Sequence, residues 1–388
     1  MKDVVQVSFQ LDRAERSPEA LLAAWPALSG CAVAAARAGV DIAVVQPASR
    51  DAMVLRDGVA FHFVKERPGF RRGPPGSRPV PESSTAIGRT VQRLRPRLIH
   101  VQGLSLPGHA RALKQRVHGA RLMAQDHADG LPRLWRRPAA RRDMASLDAV
   151  AFTAADQANP FFDAGLFVPD LPVHEVLEAS ILHGEACRRP PRNGDPVHFV
   201  WLGRLDRNKD PLTVLSGFAA VADRFPGARL RMCFLEAPLL PAVRTKIERD
   251  PVLHARVDLL GPCSPTEVWR MLCESDFLLQ GSHREGSGYA VIEALAAGVT
   301  PIVTDIPSLR SIVGTAGFLW TPGDVDALVG CLERASTIDR DACAIAAREH
   351  FERHLSWDAV GRQLALAYQA VLDPGSATHP HTARNVAS

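Results

Sequence analysis

The chain has 388 residues, 46% hydrophobic and 23% charged, with a formal net charge of +4. At about 150 residues per domain that length accommodates two to three domains, and the balance excludes a disordered or polytopic membrane chain. Arginine outnumbers lysine 41 to 5, but the charge is too mild, and too little concentrated in a stripe, to indicate nucleic acid as a partner.

The seven cysteines (31, 187, 233, 263, 273, 331 and 343) are odd in number, and no pair has C-x-x-C spacing. The expectation is no disulfide framework, no zinc site and a reducing cytosol. Met1 to Asp12 lacks the apolar region of a signal peptide. The apolar stretch from Ala23 to Val45 is interrupted by Arg37 and Asp41, short of the ~18 clean apolar residues of a membrane span. A cytoplasmic location is expected.

Val4 to Phe9 reads as a first strand. Pro18 to Ala38 reads as a helix stopped by Gly39, and Val40 to Gln46 as a strand. Lys65 to Ser84 is rich in Pro and Gly and reads as a loop, its Arg67, Arg71, Arg72 and Arg78 solvated. Ser84 to Arg95 reads as a helix. Strands follow at 97–102, 120–125, 149–153 and 173–177. Arg188 to Pro196 is polar and proline-rich and reads as a linker.

Beyond it the alternation is clearer. Val197 to Leu202 is a strand of buried type, and Asp210-Pro211 opens a helix that ends at Pro226-Gly227. Strands at 229–235, 256–260, 277–280 and 301–304 alternate with helices at 238–249, 264–275 and 290–297. Ser264-Pro265-Thr266-Glu267 has capping-box spacing, and Asp324 caps a helix to Ala335. Strands alternating with helices imply βαβ units and parallel sheets on both sides of the linker. The expected fold class is α/β, with two doubly wound Rossmann-like domains at 1–190 and 191–355. A terminal helix at 356–372 packs back on the first domain, and 373–388 is a disordered tail.

In open α/β domains, ligands bind at the carboxyl ends of the strands. Ser282-His283-Arg284-Glu285-Gly286-Ser287-Gly288-Tyr289 follows a strand and opens a helix. Small residues at 286–288 admit a ligand close to the backbone, and the helix aims free N–H groups at it, which suits phosphate. Carboxylates beside a phosphate site, Glu285 and Glu293, suit sugar or ribose hydroxyls; the alternative is two solvated glutamates. Gly203, Arg204 and Lys209 lie on the loop after an earlier strand. Its two cations can hold a diphosphate and stabilise it as it leaves; the alternative is two solvated loop cations.

GRLDRNKDPLTVL and SHREGSGYAVIEALAAGVTPIVTD resemble the two signatures of retaining GT-B glycosyltransferases of the GT4 type (glycosyl transferases group 1). The first resembles the G-R-L-x-x-x-K loop, and the second the E-x7-E motif with Glu285 and Glu293 at its ends. The resemblance is strongest over about 195–335 and continues over about 95–180. It implies a GT-B fold, two domains facing across a cleft, and retaining transfer of a sugar from a UDP-, GDP- or ADP-linked donor without a metal or other cofactor. Arg204 and Lys209 would grip the diphosphate, and Glu285 would contact the transferring sugar. Backbone N–H groups of Gly286, Ser287 and Gly288, leading into Tyr289, would contact sugar and phosphate. Glu293 would hold the ribose, and His127 would reach the sugar from the first domain. His100 and His283 read as structural.

The chain departs from the family pattern in four loops. Phe9 to Pro26 contains no glycine, and the usual Asn-Gly is replaced by Leu177-Glu178-Ala179-Ser180. Glu236-Ala237-Pro238 and Asp305 to Arg310 replace glycine-bearing loops. Arg133, Trp135, Arg136, Arg137, Arg141 and Arg142, with Leu131 and Leu134, suit an anionic membrane surface or an acidic acceptor; the alternative is a solvated segment. The leading reading is a glycosyltransferase with an unidentified acceptor. The alternatives are a nucleotide-sugar epimerase of the same architecture and a non-catalytic nucleotide-sugar-binding protein.

Overall fold

The computed structural model describes residues 2–10, 12, 16–24, 26–65, 70–71, 80–81, 85–180, 187 and 196–375. Two compact units emerge, Met1–Leu177 with Trp357–Ser388, and Glu178–Ser356. The division falls between Leu177 and Glu178, upstream of the expected linker. The physical reason is that Glu178 and Ser180 are buried and hydrogen-bond to side chains of the second unit. Of the expected linker only Pro196 is described; Arg67, Arg72 and Arg78 of the expected 65–84 loop and most of the expected tail also lie outside the described residues, while Arg71 lies in a short strand rather than a loop.

The first unit carries β1 (Lys2–Val7), β2 (Ile42–Ala48), β3 (Ala52–Arg56) and β4 (Val59–Lys65). A short antiparallel pair follows, β5 (Phe70–Arg71) with β6 (Val80–Pro81). The unit then adds β7 (Pro96–Gln102), β8 (Arg121–Gln125), β9 (Ala149–Phe152) and β10 (Val173–Glu175). The main sheet has the order β10-β9-β8-β7-β1-β2-β4-β3. Its strands are parallel except β3, which runs antiparallel to β4. The central strands are valine-rich and buried, as a sheet covered on both faces requires.

The β3–β4 hairpin is absent from the expected elements. Its signal is Asp57-Gly58 between two alternating runs; both residues have positive φ, 50° and 78°, as the tight turn of a twisted hairpin demands. The helix expected over 18–38 is two, Pro18–Ala24 and Pro26–Arg37. Pro26 lacks the N–H that would continue the first and suits the opening turn of the second. The helix Trp357–Leu372 packs on Pro26–Arg37. From it the Tyr368 hydroxyl meets Nδ1 of the fully buried His100 at 2.8 Å. Burial holds the His100 pKa down at about 3.

The second unit carries β11 (His198–Gly203), β12 (Arg229–Phe234), β13 (Val257–Gly261), β14 (Phe277–Gln280), β15 (Thr300–Thr304) and β16 (Phe318–Trp320). All run parallel in the order β13-β12-β11-β14-β15-β16. Helices cross between them, so this sheet is doubly wound as expected. Strand order reverses between β11 and β14, the place where such sheets bind ligands. Phe199, Trp201, Phe218 and Phe277 centre its core. Asp210 caps its helix by accepting from the Thr213 N–H at 3.3 Å. The Ser264–Glu267 capping box forms in both directions.

One expectation is overturned. Cys187 and Cys273 form a disulfide, with Cα atoms 5.4 Å apart and 86 positions apart in sequence. An odd cysteine count and the lack of local spacing carry no information about two cysteines brought together by folding. The other five cysteines are thiols outside any disulfide.

Candidate functional site

Two strand-to-helix loops of the second unit converge at the switch point. The loop after β11 runs from Gly203 to Lys209; the loop after β14 runs from Gly281 to Gly288. They are stitched together by backbone. The His283 N–H donates to the Asn208 carbonyl at 2.8 Å, and the Asn208 side-chain amide donates to the Arg284 carbonyl at 3.0 Å.

Lys209 and Glu285 face one another from these loops as an ion pair, with side chains 14% and 13% exposed. The same Glu285 oxygen, Oε1, accepts from Gln280 Nε2 at 2.9 Å and Ser282 Oγ at 2.7 Å. Gln280 and Ser282 are themselves buried. Ser282 is held in turn, because Thr304 Oγ1 donates to its carbonyl at 2.5 Å, and Ser308 Oγ donates to the Glu285 carbonyl at 2.9 Å. Sequence reasoning missed these supports. The available signal was Gln280, a polar residue ending an otherwise apolar buried strand.

Arg204 goes elsewhere. Its Nε pairs with Asp206 Oδ2 at 2.9 Å, and its side chain is half exposed. Asp206 Oδ1 also accepts from the Lys209 N–H at 2.9 Å, so one aspartate shapes the loop that presents both expected cations. His283 is exposed and meets Asp210 Oδ2 at 3.3 Å.

Gly286 and Gly288 are buried, and Ser287 is half-buried. Gly288 has φ +62° and precedes the helix Tyr289–Ala296. A Cβ there would sit 2.6 Å from Ile312 Cδ1, and the left-handed backbone itself favours glycine. One turn along the same helix face from Tyr289 lies Glu293. Ser180 Oγ donates to Glu293 Oε1 at 2.8 Å, and the Tyr289 hydroxyl lies 3.5 Å from Glu178 Oε2. Burial pushes the Glu293 pKa up to about 7, against the Ser180 hydrogen bond, which lowers it.

His127 belongs to the first unit, in the turn after β8. Its Nε2 lies 2.5 Å from Gln102 Oε1 at the end of β7. The turn is built by Asp126, whose carboxylate accepts from the N–H groups of Ala128 and Asp129, both at 3.0 Å. Burial, with Asp129 close by, raises the Asp126 pKa to about 6.

The arginine-rich segment of the first unit is a 3-10 turn, Leu134–Arg136, leading into the helix Arg137–Met144. Leu134 and Trp135 stand 73% and 67% exposed. The Arg136 guanidinium lies over the Trp135 ring, 4.5 Å from its centroid. Arg141 is held by the Gly165 carbonyl, and Arg142 by Asp143. Among the described residues, no helix is long and apolar enough to cross a membrane.

The family model for glycosyl transferases group 1 matches residues 185–350. The GDP-mannose:cellobiosyl-diphosphopolyprenol alpha-mannosyltransferase of Xanthomonas campestris is 23% identical over 230 residues, 57% of this chain and 59% of that one. The chain spans about half the length of the curated relatives it matches. Among solved structures, the sucrose-phosphate synthase of Thermosynechococcus elongatus aligns with a TM-score of 0.65 at 14% identity, over 96% of this chain and 100% of that one. HepE of Anabaena, in complex with UDP and glucose, aligns with a TM-score of 0.62 at 15% identity, over 94% and 99%. These likenesses give both units the GT-B fold.

Proposed function

We propose, from the match of residues 185–350 to the family model for glycosyl transferases group 1, that the protein transfers a sugar from a nucleotide-sugar donor to an acceptor, with retention at the anomeric carbon. The observation that carries the reading is the Lys209–Glu285 pair set before the helix at Tyr289–Ala296. It puts a cation, a carboxylate and free backbone N–H groups within one small loop cluster. A phosphate suits the N–H groups and the cation, and sugar hydroxyls suit the carboxylate.

In this mechanism the bond from the anomeric carbon to the diphosphate oxygen breaks, and a bond to the acceptor oxygen forms on the same face. The acceptor proton passes to the departing phosphate oxygen, so no protein nucleophile is needed. Stabilising the leaving diphosphate is the main catalytic task, assigned to Arg204, Lys209 and the N–H groups of Gly286, Ser287 and Gly288. Glu285 orients the transferring sugar, and Glu293 accepts from the ribose. These cations and the helix terminus supply the countercharge, so the proposal includes no metal requirement. We also propose that Leu134 and Trp135, with the flanking arginines, rest on an anionic bilayer.

The test is a thermal-shift panel of UDP, GDP, ADP and their common sugars. A ligand at 100 times its Kd stabilises by about 2.7 kcal/mol. The donor that scores is then incubated with and without candidate acceptors in excess chelator, and the anomeric configuration of the product is read by NMR. An α-linked product from an α-linked donor supports the reading. Donor converted without acceptor to an epimer, or bound with no turnover across the panel, overturns it.

A further inference from the structure

The segment Glu178–Ser180 replaces the Asn-Gly of the family pattern, and the structure shows what it does instead. Glu178, Ala179 and Ser180 are all buried, at 1%, 1% and 4% exposure. Two of them reach the helix Tyr289–Ala296 at positions four apart, which share a face. Glu178 meets Tyr289, and Ser180 meets Glu293. The segment is therefore laid along the face that carries Glu293.

We infer that Ser180 is a positioning residue for nucleotide recognition, its hydroxyl fixing the Glu293 carboxylate so that both ribose hydroxyls of a nucleoside diphosphate find an acceptor. This rests on the reading that Glu293 takes the ribose. A carboxylate has about four lone-pair positions on two oxygens. The Ser180 proton takes one on Oε1 at 2.8 Å, which stops rotation about the last side-chain bond. A carboxylate held in this way keeps further lone-pair positions with which it would accept from a vicinal diol. Among the described residues, the Ser180 hydrogen bond opposes the burial that drives Glu293 towards its neutral form. A neutral carboxyl carries a proton on one oxygen and accepts from hydroxyls more weakly than the carboxylate does.

The test is calorimetric binding of UDP, GDP and ADP, each with its 2′-deoxy and 3′-deoxy counterparts, to wild type, Ser180→Ala, Ser180→Thr and Glu293→Gln. Ser180→Ala is expected to weaken the best ribonucleotide by about tenfold or more, and its deoxy counterparts much less. Ser180→Thr, which keeps the hydroxyl, restores most of the affinity. Equal weakening of ribo and deoxy forms by Ser180→Ala would mean a merely structural role and overturns the proposal, as does an unchanged ribonucleotide affinity. If Glu293→Gln binds as wild type does, if wild type does not distinguish ribo from deoxy forms, or if no nucleotide binds, the ribose reading itself fails and the proposal fails with it.

Discussion

Lys209 and Glu285 lie 76 positions apart in sequence and form an ion pair between two strand-to-helix loops, each side chain largely withdrawn from water. Because Gln280 and Ser282 donate to the same Glu285 oxygen, that carboxylate is held from three sides. Removing one partner of such a pair leaves an uncompensated charge, at a cost of up to about 3–5 kcal/mol. Lys209→Met and Glu285→Gln are each expected to lower Tm and to reduce transfer by at least about a hundredfold. The double variant Lys209→Met/Glu285→Gln is expected to regain most of the lost Tm and none of the activity. Recovery of transfer in the double variant would show that the pair serves the fold alone.

Glu293 makes stability depend on pH. Its folded pKa of about 7 lies above the ordinary 4.5, so the native state holds a proton that the unfolded chain has released between those values. Its contribution is complete below about pH 4.5 and falls as pH rises through 7, by on the order of 3 kcal/mol. Glu293→Gln, neutral throughout, lacks that loss. Calorimetric Tm values across this range are expected to coincide at the acid end and to diverge in favour of the variant by pH 8. A constant offset at every pH would show that Glu293 titrates normally.

The exposed Leu134 and Trp135 beside five arginines define the lipid prediction. Wild-type protein is expected to co-sediment with vesicles of phosphatidylcholine and phosphatidylglycerol, and to be released as salt is raised. It should not co-sediment with phosphatidylcholine alone. The Leu134→Ser/Trp135→Ser variant is expected to lose at least about tenfold in vesicle affinity, since its wedge is gone while its charge is kept. Wild-type protein left in the supernatant would refute the contact.

The Cys187–Cys273 bridge is checked by alkylating the denatured protein without reductant. Five cysteines are expected to react, and all seven after reduction. Closing so long a loop is worth roughly 2–5 kcal/mol, so Cys187→Ser is expected to lower the Tm of the second unit by several degrees. Seven reactive thiols without reductant would remove the bridge.

The fold class was legible because each βαβ step leaves a local trace. Buried-type strands such as Phe199–Leu202, the Asp210-Pro211 start and the Ser264–Glu267 box act within a few residues, so sequence suffices for them. The β3–β4 hairpin is equally local, announced by Asp57-Gly58. The partners of charged groups were not legible. Arg204 and Lys209 look alike in sequence, yet one pairs with a carboxylate two residues away and the other with one 76 positions away.

The sequence by itself determined two doubly wound α/β sheets and the pair of loops that close on one another at β11 and β14, since strand periodicity, caps and glycines are short-range properties of the chain. Only the tertiary structure decided which groups hold Glu285, that Ser180 reaches Glu293, that Cys187 meets Cys273, and that the division falls at Leu177/Glu178. Those outcomes depend on long-range packing: a side chain's charge state and partner follow from how far it is buried and what is buried with it, which residue type and spacing do not encode.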